Sequence, residues 1–308
     1  MILPLLQVDT PTTDETTNAI RLLLLVAGIA ILSFGFVFLL GLWYLRGRDP
    51  FAQWHPGSGG TPPSDLPAGI VGALLDERVD HQDLVASLFD MQRRGILEVS
   101  HTEPGSASDA FLVTLRDPRA TLSNFERPMI RALFGPDPRA GASALLADRA
   151  RNVAAEYAEI RSALYQDLVD RGYFRKSPES TRESWGSAGR VLMGLSIVLF
   201  VVIYALFDWT GIFPAAALFG IGFAITRLSG VMPRKTREGA EEAARWRAFQ
   251  ADLSDIARMG DAAPALVAME RHLPYALALG VSSVFVDRFS GALPVNSWAT
   301  VVRDRVSE

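Results

Sequence analysis

The 308-residue chain is 49% hydrophobic with a mean hydropathy of +0.18, and its 34 acidic and 30 basic residues give a net charge of −4. It contains no cysteine, which excludes disulfides and thiolate metal sites. The apolar surplus lies in two blocks rather than along the whole chain, which excludes a purely soluble two-domain protein.

Residues 1–21 read as a short extracytoplasmic tail carrying Asp9, Asp14 and Glu15. Leu22 to Leu45 then runs for 24 residues without a charge, enough for a tilted helix to cross a hydrocarbon core of roughly 30 Å. A signal peptide would have an apolar core of only about 7–15 residues and a small-residue cleavage site. None precedes Arg46-Gly47-Arg48, so residues 22–45 are expected to be an uncleaved transmembrane helix. Residues 46–65, with the Pro-, Gly- and Ser-rich HPGSGGTPPSD, read as a linker.

From Leu66 the pattern becomes that of a folded domain over residues 66–175. Ile70, Val71, Leu74 and Leu75 recur at helical spacing, with Pro67 suited to a first turn. Asp80 is placed to cap a second helix whose buried face is Leu84, Val85, Leu88, Phe89 and Met91. Gly95 stops it, Ile96 to Val99 alternates as a strand, His101 to Ala110 is a loop, and Phe111 to Leu115 returns as a second strand. Two helices and a two-stranded wing have a winged-helix-like order. A short helix over Phe125 to Phe134 follows, its boundary left open because Pro128 would cost an internal hydrogen bond unless it lies in the first turn, then a long one over Ala147 to Asp170 with Val153, Tyr157, Ile160, Leu164 and Leu168 on one face. Its ending, Asp170-Arg171-Gly172-Tyr173-Phe174, echoes Arg93-Arg94-Gly95-Ile96-Leu97. The echo fits either two related units or a common helix ending.

Residues 176–190 read as a second linker, and 191–226 as a transmembrane hairpin whose legs, Val191 to Phe207 and Ile212 to Ile225, flank the turn Asp208-Trp209-Thr210-Gly211. The legs are short enough that a re-entrant hairpin stays open beside a full crossing. In residues 227–308, helices are expected over Thr236 to Met259, Ala263 to His272 and Tyr275 to Phe289. The apolar run at 275–286 is too short to span, which leaves a buried or an interfacial helix. Arg46, Arg48, Arg182, Arg190, Arg227, Arg234, Lys235 and Arg237 all flank the spans on one side, so both larger polar regions are expected in the cytoplasm and the N-terminus outside. Arg46, Arg48, Arg227, Arg234, Lys235 and Arg237 are topology determinants that would also face anionic lipid headgroups.

Several stretches together resemble a bacterial family of predicted membrane proteins, domain of unknown function 2207. They are RGRDP (46–50), PPSDLPAGIVGALLDERVDHQDLVASLFDMQRRGILEV (62–99), TREG (236–239), WRAF (246–249) and LPYALALGV (273–281). The resemblance implies an integral inner-membrane protein with cytoplasmic helical modules, and supplies no reaction, substrate or catalytic residue. Members typically carry a large extracytoplasmic β-rich region before the first span, where about twenty residues stand here, so the resemblance is to the membrane and cytoplasmic part.

The chemistry-bearing residues are sparse. Residues 61–180 hold 14 basic against 18 acidic side chains, a net of −4, and acids lead the second helix, which argues against phosphate-backbone binding. No Walker-type loop, G-x-S-x-G or H-E-x-x-H occurs, and His55, His81, His101 and His272 lie far apart. His81 with Asp80 and Asp83 reads as a solvated helix start rather than a fragment of a metal site. Trp246, Phe249, Leu273, Pro274 and Tyr275 fit either core packing between C-terminal helices or a contact between domains or with a partner. The expectation is a mainly α membrane protein with three transmembrane helices, a winged-helix-like α+β domain and a C-terminal helical segment. It would act without catalysis or cofactor as an interaction or regulatory scaffold, with membrane lipid and either an unidentified protein or a second copy as partners. A membrane-tethered transcription regulator and a cryptic membrane enzyme are the alternatives. No ionisable residue interrupts the spans, which disfavours a transporter.

Overall fold

A computed structural model describes residues 13–52, 60–101, 111–207, 209, 212–257 and 271–282. The chain forms two compact units: residues 1–48 with 180–234, and residues 49–179 with 235–308.

The first unit consists of membrane-type helices. Helix α1 (Thr13–Leu42) continues through a π-helical turn at Trp43–Gly47. Helix α6 (Pro178–Phe207) and helix α7 (Ile212–Leu228), the latter extended by a 3₁₀ turn at Ser229–Val231, make the hairpin. Among the described residues, three stretches are long and apolar enough to cross a bilayer: Glu15–Leu45, Pro178–Leu206 and Ile212–Val231. The last is 20 residues, because Thr226 to Val231 continue helically beyond the apolar leg seen in the sequence. Residues 178–190, read as linker, are instead the first turns of α6. Pro178 and Glu179 suit a first turn, and no further proline follows before Phe207. Close approach depends on absent side chains. A Cβ on Gly222 of α7 would come 2.8 Å from the Gly189 carbonyl oxygen of α6, and one on Gly28 of α1 would come 2.9 Å from the Phe213 carbonyl carbon of α7. In lipid, where apolar side chains gain little by leaving the solvent, such backbone contact is a main source of helix association.

The second unit begins with α2 (Ala68–Asp76) and α3 (His81–Arg93), each started as the sequence indicates. Pro67 is the N-cap of α2, while Asp80 caps α3 by accepting from the Gln82 and Asp83 backbone N–H groups. The Asp83 carboxylate accepts in return from the Asp80 N–H, completing a reciprocal cap. Strands β1 (Leu97–His101) and β2 (Phe111–Leu115) pair antiparallel, Leu97 opposite Leu115. Helix α4 (Glu126–Phe134) takes Pro128 in its first turn. Strand β3 (Ser143–Leu145), absent from the sequence reading, pairs with β2 and gives the order β1-β2-β3 before α5 (Leu146–Asp170).

The echoed endings share one local geometry. Gly95 and Gly172 stand at φ +74° and +77°, a conformation natural to glycine. Ile96 N–H donates to Met91 O and Gly95 N–H to Gln92 O, and Tyr173 and Gly172 donate likewise to Leu168 O and Val169 O. This paired cap satisfies the last carbonyls of each helix. Each is followed by extended chain: β1 after Gly95, and a single bridge from Phe174 to Lys235 after Gly172.

Beyond the hairpin, the described residues of this unit form α8 (Arg237–Ala257) and α9 (Leu273–Ala278). The expected helix from Tyr275 is interrupted at Gly280 (φ +70°), whose N–H donates to Leu277 O, and helical structure resumes at Val281 and Ser282, where the described residues end. Leu273, Tyr275, Ala276, Leu277, Leu279 and Val281 are buried, as a core helix requires. Residues 263–270 and 283–289 of the expected helices, with parts of the tail, first linker, strand loop and hairpin turn, lie outside the described residues. One hydrophobic core joins the two stretches of sequence, running from Ile70 and Leu74 through Met91, Leu115, Phe125 and Leu168 to Trp246, Phe249 and Tyr275.

Candidate functional site

A set of specific contacts in the second unit forms the seam where α8 and α9 meet α2, α3 and the segment before them. Trp246 and Phe249 lie three residues apart on α8 and are both fully buried. Their rings meet edge to face at 5.6 Å, and the Tyr275 ring of α9 stands 4.9 Å from Trp246 and 6.1 Å from Phe249. His272 adds a fourth ring, 5.5 Å from Phe249, and burial followed by the nearby Arg271 and Arg93 charges holds its imidazole below the ordinary value. Leu273 and Pro274 are buried at the start of α9. Trp246, Phe249, Leu273 and Tyr275 are thus within one core, and Pro274 is buried at the start of α9.

Polar groups at the edge of this cluster find partners both nearby and far away in the chain. The Trp246 indole N–H donates to Glu242 Oε1 at 2.9 Å, and the buried Glu242 also accepts from Arg245 and from the Ser64 hydroxyl. The Tyr275 hydroxyl donates to Leu66 O at 3.0 Å. Burial, with the Asp90 charge adding to it, pushes that hydroxyl up to about 12, so it remains a donor at physiological pH. Arg93 on α3 donates to Asp90 at 2.9 Å and lies 5.7 Å from the Tyr275 ring centre. Gln82 at the start of α3 donates to Leu277 O, and Gln250 donates to Leu279 O at 2.8 Å.

A second knot lies where the post-hairpin chain joins this unit. Lys235 is 3% exposed, its ammonium 3.4 Å from Asp49 Oδ2, paired with Glu77 Oε1, and 5.6 Å from the Phe174 ring centre. Its backbone N–H donates to Asp49 Oδ1 at 2.8 Å. Thr236 follows, capping α8 by accepting from Gly239 N–H at 3.0 Å and donating to Gly172 O at 2.6 Å. A Cβ on Gly239 would collide with the Tyr173 carbonyl, so the TREG stretch lets α8 start against the end of α5.

The charged residues at the span ends divide by environment. Arg48 lies over the Tyr44 ring at 5.7 Å, Arg227 over Phe223 at 5.2 Å, and Arg234 donates to Leu45 O at 3.0 Å. Arg46 falls in the π-helical turn, and Arg237 is exposed beside Glu241 at 2.9 Å. Lys235 differs from its neighbours, because its charge is buried against two carboxylates rather than offered to headgroups.

Sequence reasoning passed over the buried acids. Asp90 accepts from Arg93, and Arg94 Nε stands 3.2 Å from its second oxygen, in ion-pair range without hydrogen-bond alignment. Arg94 also pairs with Glu126, which accepts from Ser123 N–H at 2.8 Å, while Asp167 accepts from Asn124 at 2.7 Å. Burial raises the carboxyls of Glu126 and Asp167, with Arg94 opposing it for the first and the Phe125 N–H for the second. The only local signal was an acid four residues before the basic residue at each helix end, Asp90 before Arg94 and Asp167 before Arg171. His81 stacks on Tyr157 at 5.2 Å, while Asp80 and Asp83 serve the cap. Among the described residues no three His, Asp or Glu side chains are grouped as metal ligands would be.

No curated protein and no solved structure matches the chain at a significant level. The family model for the C-terminal domain of predicted membrane protein DUF2207 matches residues 60–289, about three quarters of the chain. The match covers both parts of the aromatic seam and the hairpin between them. With its three bilayer-length helices, the chain is a multi-pass membrane protein that belongs to the DUF2207 family.

Proposed function

We propose that this protein is a non-catalytic scaffold of the bacterial inner membrane, which presents a protein-interaction or regulatory surface to the cytoplasm and has its N-terminus outside. The observation that carries this reading is the seam itself. Trp246, Phe249 and Tyr275 knit the segment after the hairpin into the core formed before it, so the two stretches make one body, continuous in the chain with the membrane helices after residue 48, after residue 179 and after residue 234. The polar groups nearest the seam are spent on holding that body together. Its partner is a protein or a second copy of the chain, with lipid around the helices.

The winged-helix-like description rests on the order α2, α3, β1, β2, with α3 in the place of a recognition helix. The same description motivates the rival, a tethered transcription regulator. Two observations favour the scaffold. Gln82 and Arg93, at the two ends of α3, are engaged by α9, and acids lead that helix.

Crosslinking in intact membranes, followed by purification of the full chain in mild detergent, tests the proposal. A stoichiometric protein partner or a crosslinked second copy is expected. A chain recovered alone, or one that binds duplex DNA in a salt-dependent way after reconstitution, contradicts it.

A further inference from the structure

Among the described residues of the second unit, one large apolar side chain stands in the open: Phe51 is 91% exposed. It is not on a free tether. Two positions earlier, Asp49 is held at both carboxylate oxygens by Lys235, and Pro50 between them fixes its own φ near −65°.

The membrane helix ends just upstream. The bilayer-length stretch closes at Leu45 and helical structure at Gly47, so four residues of chain keep the Phe51 Cα within about 14 Å of the Gly47 Cα. The headgroup layer extends roughly 5–7 Å beyond the hydrocarbon on each face. A ring on so short a leash can reach that layer, and apolar rings beside arginines are the composition of an interfacial anchor. Arg46 and Arg48 supply the arginines.

From this we propose that Phe51 is a membrane-surface anchor whose ring inserts at the headgroup–acyl boundary on the side where the second unit lies. The inference rests on the membrane-spanning reading of α1. It adds an attachment point outside the spanning helices, and its occupant is lipid rather than a protein partner.

The absence of native cysteine allows a direct test. Phe51→Cys in the full chain carries a single environment-sensitive fluorophore after labelling, in vesicles of phosphatidylcholine and phosphatidylglycerol with and without a lipid bearing a nitroxide near its headgroup. Ser143→Cys, on exposed β3, is the solvent reference, and Val37→Cys, on the lipid-exposed surface of α1, verifies reconstitution. The expected result at position 51 is blue-shifted emission, quenched several-fold more strongly by the nitroxide lipid than at position 143. Emission like that of position 143 overturns the proposal. So does blue-shifted emission that the lipid nitroxide fails to quench, which marks a protein as the occupant.

Discussion

Lys235 and Asp49 lie 186 positions apart and are joined twice, backbone N–H to Oδ1 at 2.8 Å and ammonium to Oδ2 at 3.4 Å. Each is the first residue of the second unit after a membrane helix, Asp49 behind α1 and Lys235 behind α7. With Glu77 as third partner, the pair fixes the two points at which the chain passes into the folded body.

Removing the Lys235 ammonium leaves two carboxylates facing each other with no cation. Breaking a fully buried pair costs about 3–5 kcal/mol, and because Asp49 and Glu77 keep some solvent the expected cost of Lys235→Met is about 1–3 kcal/mol. Glu77→Gln in the same chain should recover part of the loss. Thermal unfolding of the purified protein, followed through tryptophan fluorescence in a double-mutant cycle, measures the coupling. Additive effects would show that the pair contributes nothing.

Asp83 makes the stability of the second unit depend on pH. Burial first, and then the Asp80 and Asp76 charges, hold its carboxyl well above the ordinary value of 3.8, against the opposing Asp80 N–H. A carboxyl with a higher value in the folded state binds its proton more tightly there. It therefore contributes stability below pH 3.8, and that stability is lost as pH rises toward the folded value. Asp83→Asn keeps an acceptor for the cap and cannot ionise. It should flatten the pH dependence above 3.8 and raise neutral-pH stability by on the order of 1 kcal/mol. Denaturation curves at several pH values decide, and a mutant curve parallel to wild type would count against this role.

Gly222 marks where α6 and α7 touch backbone to backbone. Gly222→Ala would place a Cβ 2.8 Å from the Gly189 carbonyl oxygen, forcing the helices apart at a cost of about 1–3 kcal/mol. Gly194→Ala, with nothing within 4 Å, should be neutral or slightly stabilising. Thermal aggregation in detergent compares the two, and equal effects would remove the helix contact as the cause.

Orientation is open to chemical labelling. Ala150 is exposed on α5, and Ala150→Cys introduces the chain's single thiol. With the N-terminus outside, an impermeant maleimide should leave it unmodified in intact cells and modify it after lysis. Modification in intact cells would reverse the topology.

What could be read from sequence was what neighbours decide. Asp80 as a cap, Gly95 as a stop, the alternation from Phe111 to Leu115 and the Trp246, Phe249, Leu253 stripe depend on residues within a few positions. Strand β3 was invisible, since three residues with little pattern become a strand only by pairing with Leu112 to Thr114 of β2. The first turns of α6 looked like linker because Pro178 to Arg190 is polar, yet a polar segment can continue a helix that is anchored further along. Lys235 stands between Arg234 and Arg237, and its burial depends on Asp49, Glu77 and Phe174, none within 60 positions. The ring cluster was half legible: the spacing of Trp246 and Phe249 put them on one face, while their meeting with Tyr275, and that of Tyr275 with Leu66 and Arg93, is a property of the fold.

The central claim is that the stretches before and after the hairpin form one cooperative body through the aromatic seam. Trp246→Ala opens a cavity in that seam, at a cost of about 3–5 kcal/mol. Amide hydrogen exchange on the full chain in nanodiscs, wild type against Trp246→Ala, tests the claim most directly. Protection should fall together in α9 (Leu273–Ala278) and in α3 (His81–Arg93), although α3 lies far from position 246 in sequence. Loss of protection confined to α8 and α9, with α2 and α3 exchanging as in the wild type, would contradict it.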